Sequence, residues 1–369
     1  MSKLFSNVQV GPYNFSHRVV LAPLSRLRAG ESGIPGSLMI KFYSQRATEG
    51  AFLIAESSAV FADGNGYLGS PGLYSDDQVA GWRDVVKAVH AKGAKIFAQI
   101  YHAGRQSHSS LRPRDDRPVG PSEVAHGGVA RTAEGWVPAT LNRALEMEEI
   151  PAIVEGFRTA AQRALAAGFD GVELLAANGY LLDQFLQDNS NLRTDLYGGS
   201  FENRTRLLME ATRAAISVWG NDRVAVRLSP SGTFGEMGDS NPQVLFPYVV
   251  QQLATLELAY LHLIEPRWNA EGDAAQKAPI ITHELRKHFP GIVIAAGSFD
   301  GASAETMIQS GDADMIAFGR HFIANPDLPM RLRRGLPLND YDRSTFYGNT
   351  EVGYTDYPFY ACQTDECAA

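Results

Sequence analysis

Two dipeptides late in the chain, Gly297-Ser298 and Gly319-Arg320, have the make-up of a phosphate cradle. Glycine lets backbone N–H groups approach an anion closely, and a helix N-terminus adds positive potential. By themselves the pieces are equally an ordinary tight turn and an arginine in a salt bridge. Two polar residues interrupt apolar runs: Gln99 in Phe97-Ala-Gln-Ile100 and Arg227 in Val224-Ala-Val-Arg-Leu-Ser229. A buried arginine needs an anionic or strongly polar partner. That partner is either a ligand or a carboxylate such as Glu173 or Glu265. Gln99 is likewise either a hydrogen-bonded core amide or a ligand contact. Asn178-Gly-Tyr180 follows another apolar run, and on local pattern alone Tyr180 reads as a core tyrosine opening a helix. His102 and His108 lack a nearby carboxylate at metal-ligand spacing, so they read as solvated loop residues and no metal is expected.

These residues gain meaning from the elements that carry them. Apolar runs rich in Val, Ile, Leu and Ala recur at Arg18–Pro23, Ala51–Ala55, Ala94–Ile100, Gly171–Ala176, Arg223–Ser229, Leu258–Glu265, Gly291–Ala296 and Ala313–Phe318. Near-continuous apolar runs are the pattern of strands covered on both faces. Amphipathic stretches alternate with them: Val79–His90 behind the capping box Ser75-Asp-Asp-Gln78, then Met147–Ala167, Phe201–Trp219, Pro242–Leu256, Ile281–Phe289 and Ala302–Ser310. The repeat predicts an α/β fold, a (β/α)8 TIM barrel, with a doubly wound open sheet as the alternative. Leu4–Phe15 is expected to form an N-terminal β-hairpin plugging the bottom of the barrel. The stretch 104–143, rich in Gly, Pro, Ser, Arg and His, is expected to be a subdomain or lid after strand three. The whole of 1–369 reads as one domain, with 1–17 as the hairpin segment and 340–369 as a C-terminal extension. In such a barrel the polar residues above fall at the C-terminal ends of strands, where barrel chemistry sits.

Composition narrows the class. The chain has 369 residues, 44% hydrophobic, with a net charge of −8. That balance argues against a nucleic-acid partner, since phosphate neutralisation needs clustered Lys and Arg. Apolar runs are too short to span a membrane, which takes ~20 residues. No signal-peptide pattern opens the chain. Cys362 and Cys367 lie in the last eight residues and are expected to be free thiols on a tail of a cytoplasmic protein.

Six stretches, in order, resemble the old yellow enzyme family. They are Arg18-Val-Val-Leu-Ala-Pro-Leu-Ser-Arg26, Ala98-Gln-Ile-Tyr-His-Ala-Gly-Arg105, Ala177-Asn-Gly-Tyr-Leu-Leu-Asp-Gln-Phe185, Asn191-Leu-Arg-Thr-Asp-Leu-Tyr-Gly-Gly-Ser-Phe-Glu-Asn-Arg204, Ala317-Phe-Gly-Arg-His-Phe-Ile-Ala-Asn-Pro-Asp327 and Gly353-Tyr-Thr-Asp-Tyr-Pro358. The resemblance implies an FMN-dependent reductase of activated alkenes, driven by NADPH or NADH, with nitro compounds or nitrate esters as further substrates. It implies that Pro23, Leu24 and Ser25 lie against the flavin and that Ser57 touches the ring through its backbone. Gln99 would bond the pyrimidine edge, and Arg227 would sit by N1 and the C2 carbonyl, where negative charge accumulates on reduction. Gly297, Ser298, Gly319 and Arg320 would hold the phosphate. Tyr180 would be the proton donor and Asn178 a donor to the substrate's oxygen, with Tyr101 lining the substrate pocket; Tyr354 resembles a residue near the pocket mouth and reads equally as packing against the barrel. A monomer or homodimer is expected.

One departure bears on catalysis. Family members carry a second donor three residues before Asn178, and here that position is Leu175, which has no N–H to offer. Tyr101 also stands where many relatives have Trp. Two other readings stay open at this point: a flavoprotein whose turnover is impaired by Leu175, and a flavin-free barrel lyase or isomerase on a phosphorylated metabolite. The latter class usually needs a central lysine or carboxylate, and no lysine stands at the eight strand ends.

Overall fold

A computed structural model describes residues 2–114, 116–266 and 280–361. Eight parallel strands close on themselves: Val19–Leu21, Phe52–Ile54, Lys95–Tyr101, Gly171–Ala176, Val224–Leu228, Tyr260–Ile264, Val293–Ala296 and Met315–Phe318. The last strand pairs with the first through Ala317 and Val20, which completes a (β/α)8 barrel and removes the open-sheet alternative. Seven of the strands lie inside the apolar runs that predict them, and Lys95–Tyr101 extends one residue past its run, Ala94–Ile100.

Residues two apart share a face, and that alternation sorts every strand. Ile96, Ala98 and Ile100 pack outward against the helices, as do Val172, Leu174 and Ala176 on the next strand. Phe97 joins an inner cluster with Val20, Phe52, Ala225, Tyr260, Ile294 and Met315. The hairpin Val8–Val10 and Tyr13–Phe15 closes the bottom of this cluster, with Phe15 stacked on Phe52 at 4.6 Å. The barrel floor is thus dry and filled.

The helices follow from local signals. Ser75 and Gln78 make the reciprocal capping box that opens Asp76–His90. Gly168, at φ 90°, ends Ile150–Ala167, where an L side chain would be strained. Trp219 closes the helix Phe201–Trp219 and donates from Nε1 to Ala161 O of the helix Ile150–Ala167 at 2.9 Å. Among the described helices, Ser37–Arg46, Arg320–Ala324 and Leu328–Arg334 were not anticipated, and the longest of them is Ser37–Arg46. Its buried face contains Met39, Phe42 and Tyr43, then Arg46, which breaks the apolar stripe. Arg46 is buried because its guanidinium bonds to the carbonyls of Phe42, Phe322 and Ile323.

The segment after strand three carries a short hairpin, Val129–Thr132 with Gly135–Pro138, and a two-residue parallel pairing of Val119–Gly120 with Arg143–Ala144. Among the described residues no helix is long and apolar enough to cross a membrane. Cys362 and Cys367 lie outside the described residues.

Candidate active site

The inward-facing residues above the apolar floor are polar. Ser57 Oγ donates to Gln99 Oε1 at 2.5 Å, Gln99 Nε2 donates to Glu173 Oε1 at 2.6 Å, and Glu173 Oε2 meets His262 Nδ1 at 2.9 Å. Arg227 is the register partner of both Leu175 and His262 on the neighbouring strands. Burial alone would push the Glu173 carboxyl up. The attraction and hydrogen bond of His262, the charge of Arg227 and the bond from Gln99 outweigh it and hold the group below the usual carboxylate range. Of the two carboxylates considered for Arg227, Glu173 is therefore the electrostatic neighbour. Glu265 instead accepts from Thr282 N at 2.7 Å.

The ends of strands seven and eight come together. Arg320 Nη2 lies 3.4 Å from Ser298 Oγ, and its Nη1 lies 3.3 Å from the Tyr341 hydroxyl. A Cβ on Gly297 would lie 2.9 Å from Glu265 Cβ, so that corner is shaped for glycine, while one on Gly319 would lie 3.2 Å from the end of the Leu24 side chain. Pro23 is buried, while Leu24 and Ser25 are half-buried at the end of strand one.

Asn178 and Tyr180 leave strand four in a tightly held turn. Asn178 has φ 57°, a conformation that asparagine tolerates, and its N–H donates to Ser229 Oγ at 2.8 Å. Gly179 is also left-handed, and a Cβ there would meet Phe234 O at 2.5 Å. Its N–H donates to Asp183 Oδ2 at 2.9 Å, and its carbonyl accepts from Gln184 Nε2 at 2.7 Å. Tyr180 is the residue before the helix Leu181–Leu186. Its ring meets Tyr101 edge-on at 5.1 Å, and its hydroxyl donates to that of Tyr67 at 3.4 Å. Burial and the neighbouring tyrosines hold the Tyr180 phenol well above its ordinary pKa, so it keeps its proton. Leu175 packs in the same cluster with Leu27, Tyr67, Tyr101 and Tyr180.

Asp183 underlies this turn and is wholly buried. Burial raises its carboxyl to about 6, against the bonds from Gln187 and Gly179. This is the reverse of the usual carboxylate case. The folded state holds the proton more tightly than the unfolded one, so this group's contribution to stability falls as pH rises from about 4 to about 6. Asp183→Asn removes the titration. Relative to the unsubstituted chain it should gain up to about 3 kcal/mol between pH 4 and pH 7, read as the change in urea unfolding free energy at the two values. An unchanged pH difference would show that Asp183 does not titrate in this window.

Three expectations are corrected in place. Tyr354 does not reach the pocket mouth: it is fully buried, stacked on Phe42 at 4.3 Å with the Arg28 and Arg26 guanidiniums 4.7 and 5.1 Å from its ring. It belongs to the packing between barrel and C-terminal segment. The tyrosine of this segment that lies near the Tyr67–Tyr180 cluster is Tyr347, whose ring is 5.4 Å from Trp136, itself 5.8 Å from Tyr67. His102 is not solvated. It is buried, Nδ1 accepts from Gly104 N at 3.0 Å, and burial pulls its pKa to about 4. His108 is half-buried and caps a short turn by accepting from Ser110 N. Tyr67 and Tyr347 were missed because they stand in irregular chain, and Trp136 because its strand of four residues is too short to mark which way a side chain faces. Among the described residues no group of three or more His, Cys, Asp or Glu could hold a metal ion.

The donor set fits FMN. The Gln99 amide has one acceptor and one donor position left after its bonds to Ser57 and Glu173. With the Arg227 cation beside it, that pattern matches an acceptor-rich ring edge carrying one N–H. Ser298, Arg320 and the glycine corners match a phosphate. Fold and site together define a flavin-linked barrel oxidoreductase. The sequence profile of the NADH:flavin oxidoreductase / NADH oxidase family matches residues 3–339. The chain is 44% identical to 12-oxophytodienoate reductase 2 of Arabidopsis thaliana, over 96% of this chain and 95% of that one. A structure of morphinone reductase in complex with tetrahydroNAD superposes with a TM-score of 0.91 at 43% identity, covering 98% of this chain and 99% of that one. The old yellow enzyme homologue from Zymomonas mobilis superposes with a TM-score of 0.91 at 39% identity, covering 96% and 99%. The chain belongs to this family, the old yellow enzymes. It is an NAD(P)H-dependent FMN oxidoreductase acting on activated alkenes.

Proposed function

We propose that this chain reduces enones, enals and nitroalkenes by a ping-pong cycle in which its own residues bind, orient and protonate. When bound, FMN would supply hydride transfer between NAD(P)H and the activated alkene. Gln99 and Arg227 hold the pyrimidine edge, and the Arg227 cation stabilises the negative charge that reduction places there. Pro23, Leu24, Ser25 and Ser57 form the wall against the ring. Gly297, Ser298, Gly319 and Arg320 bind the phosphate. Asn178 donates to the carbonyl or nitro oxygen, which polarises the alkene. Tyr180 delivers the proton to the α-carbon from its hydroxyl. Tyr101, Leu175 and Tyr347 shape the space around the substrate.

One observation carries this reading: a polar layer with spare hydrogen-bonding capacity lies on the barrel axis, below a protonated tyrosine in a largely apolar pocket. Purified protein is expected to be yellow, to bleach with NADPH without oxygen, and to recover its colour on adding 2-cyclohexenone. A colourless protein that FMN does not reconstitute would overturn it.

A further inference from the structure

Glu173 and His262 are fully buried, ionisable and unused in the cycle above. Their bond crosses the barrel interior from strand four to strand six, passing Arg227 on strand five. Such a pair takes no part in binding a neutral alkene. A well-packed apolar pair would fill the same space without the cost of burying charge.

Two features point to a role. The first is the Gln99 amide, whose ends are chemically opposite. Ser57 Oγ lies at one end and Glu173 Oε1 at the other. A carboxylate repels the amide oxygen and attracts the amide N–H, whereas a serine hydroxyl accepts either end. Glu173 therefore selects the orientation in which the Gln99 nitrogen faces strand four. The second is charge. Arg227 and Glu173 act on each other electrostatically, so the positive field of Arg227 at the pocket is partly offset from beneath. His262 Nδ1 holds the other carboxylate oxygen, and Tyr260, also buried, stands beside the carboxylate.

We propose that Glu173, held by His262, is a positioning residue that sets the orientation of Gln99 and weakens the preference of the pocket for reduced over oxidised FMN. The proposal rests on the placement of Gln99 and Arg227 at the pyrimidine edge. The carboxylate keeps the cofactor a ready hydride donor, because a pocket without that negative charge would hold the reduced form more tightly.

The test measures the midpoint potential of bound against free FMN, by dye equilibration, in the purified holoprotein. That potential reports the ratio of the dissociation constants of oxidised and reduced FMN. Arg227→Gln is the control for the edge placement and should lower the ratio. Glu173→Gln keeps the shape and an acceptor for Gln99 but removes the charge. It should raise the ratio about tenfold, a rise of about 30 mV for a two-electron couple. Should the single variant fail to fold, the same substitution in the Arg227→Gln background removes the carboxylate charge without the arginine and should again raise the ratio. A merely structural role would change both dissociation constants together, so an unchanged ratio, or loss of both bindings at once, overturns the proposal. An Arg227→Gln variant with an unchanged ratio would instead overturn the edge placement itself.

Discussion

Leu175→His should raise kcat/KM on 2-cyclohexenone by about 10²–10³, the typical worth of one preorganised donor to a developing oxyanion. The position is three residues before Asn178 and faces the same cluster as Tyr101 and Tyr180. Leucine there contributes apolar surface but no N–H, so Asn178 is left as the donor from this strand end. An imidazole fills a similar volume. Its register partner on the next strand is Arg227, whose charge favours the neutral ring, and a neutral imidazole still donates from one nitrogen. The measurement is steady-state alkene reduction with FMN content held equal. Equal or lower activity would show that substrates sit here in a pose that does not use this position, and that the leucine is part of a different specificity. A large rise would show that the unsubstituted chain is a slow enone reductase because of one missing bond.

The second large effect concerns the proton. Tyr180→Phe should slow alkene reduction by about 10²–10⁴, the range for loss of a positioned general acid. Flavin reduction by NADPH should be unchanged, because no proton from Tyr180 enters that half. Stopped-flow measurement of the two half-reactions separates these steps. The phenol is held protonated by burial and by its tyrosine neighbours, with Tyr67 as its hydrogen-bond partner. The ring edge contact with Tyr101 is kept in the variant, so packing changes little. A Tyr180→Phe chain that reduces alkenes at the original rate would remove the tyrosine from the chemistry and leave it as a pocket wall.

Much of the architecture was legible in the chain because its signals are local. Buried parallel strands need apolar residues on both faces, so the apolar runs marked all eight, and Ser75, Gln78 and the 3.6-residue repeats marked most of the helices. Ser37–Arg46 escaped because its buried face ends in an arginine, whose partners include the carbonyls of Phe322 and Ile323, more than 270 residues away in sequence. The same division holds at the site. Gln99 and Arg227 stood out as polar residues in apolar runs, and the Gly297-Ser298 and Gly319-Arg320 corners stood out by composition. The approach of Ser298 to Arg320, and the Glu173–His262 pair that meets Gln99 and Arg227, depended on the closing of the barrel. Strand order decides which side chains meet across the interior, and no local pattern records it. Tyr347 rather than Tyr354 lies near the Tyr67–Tyr180 cluster for a related reason: both tyrosines lie in irregular chain, where direction is set by what packs against them. Residue types and their period thus determined the barrel, its apolar floor and the inventory of polar groups. Tertiary closure alone decided which of those groups share a field, because electrostatic and hydrogen-bonding partners are chosen by distance in space.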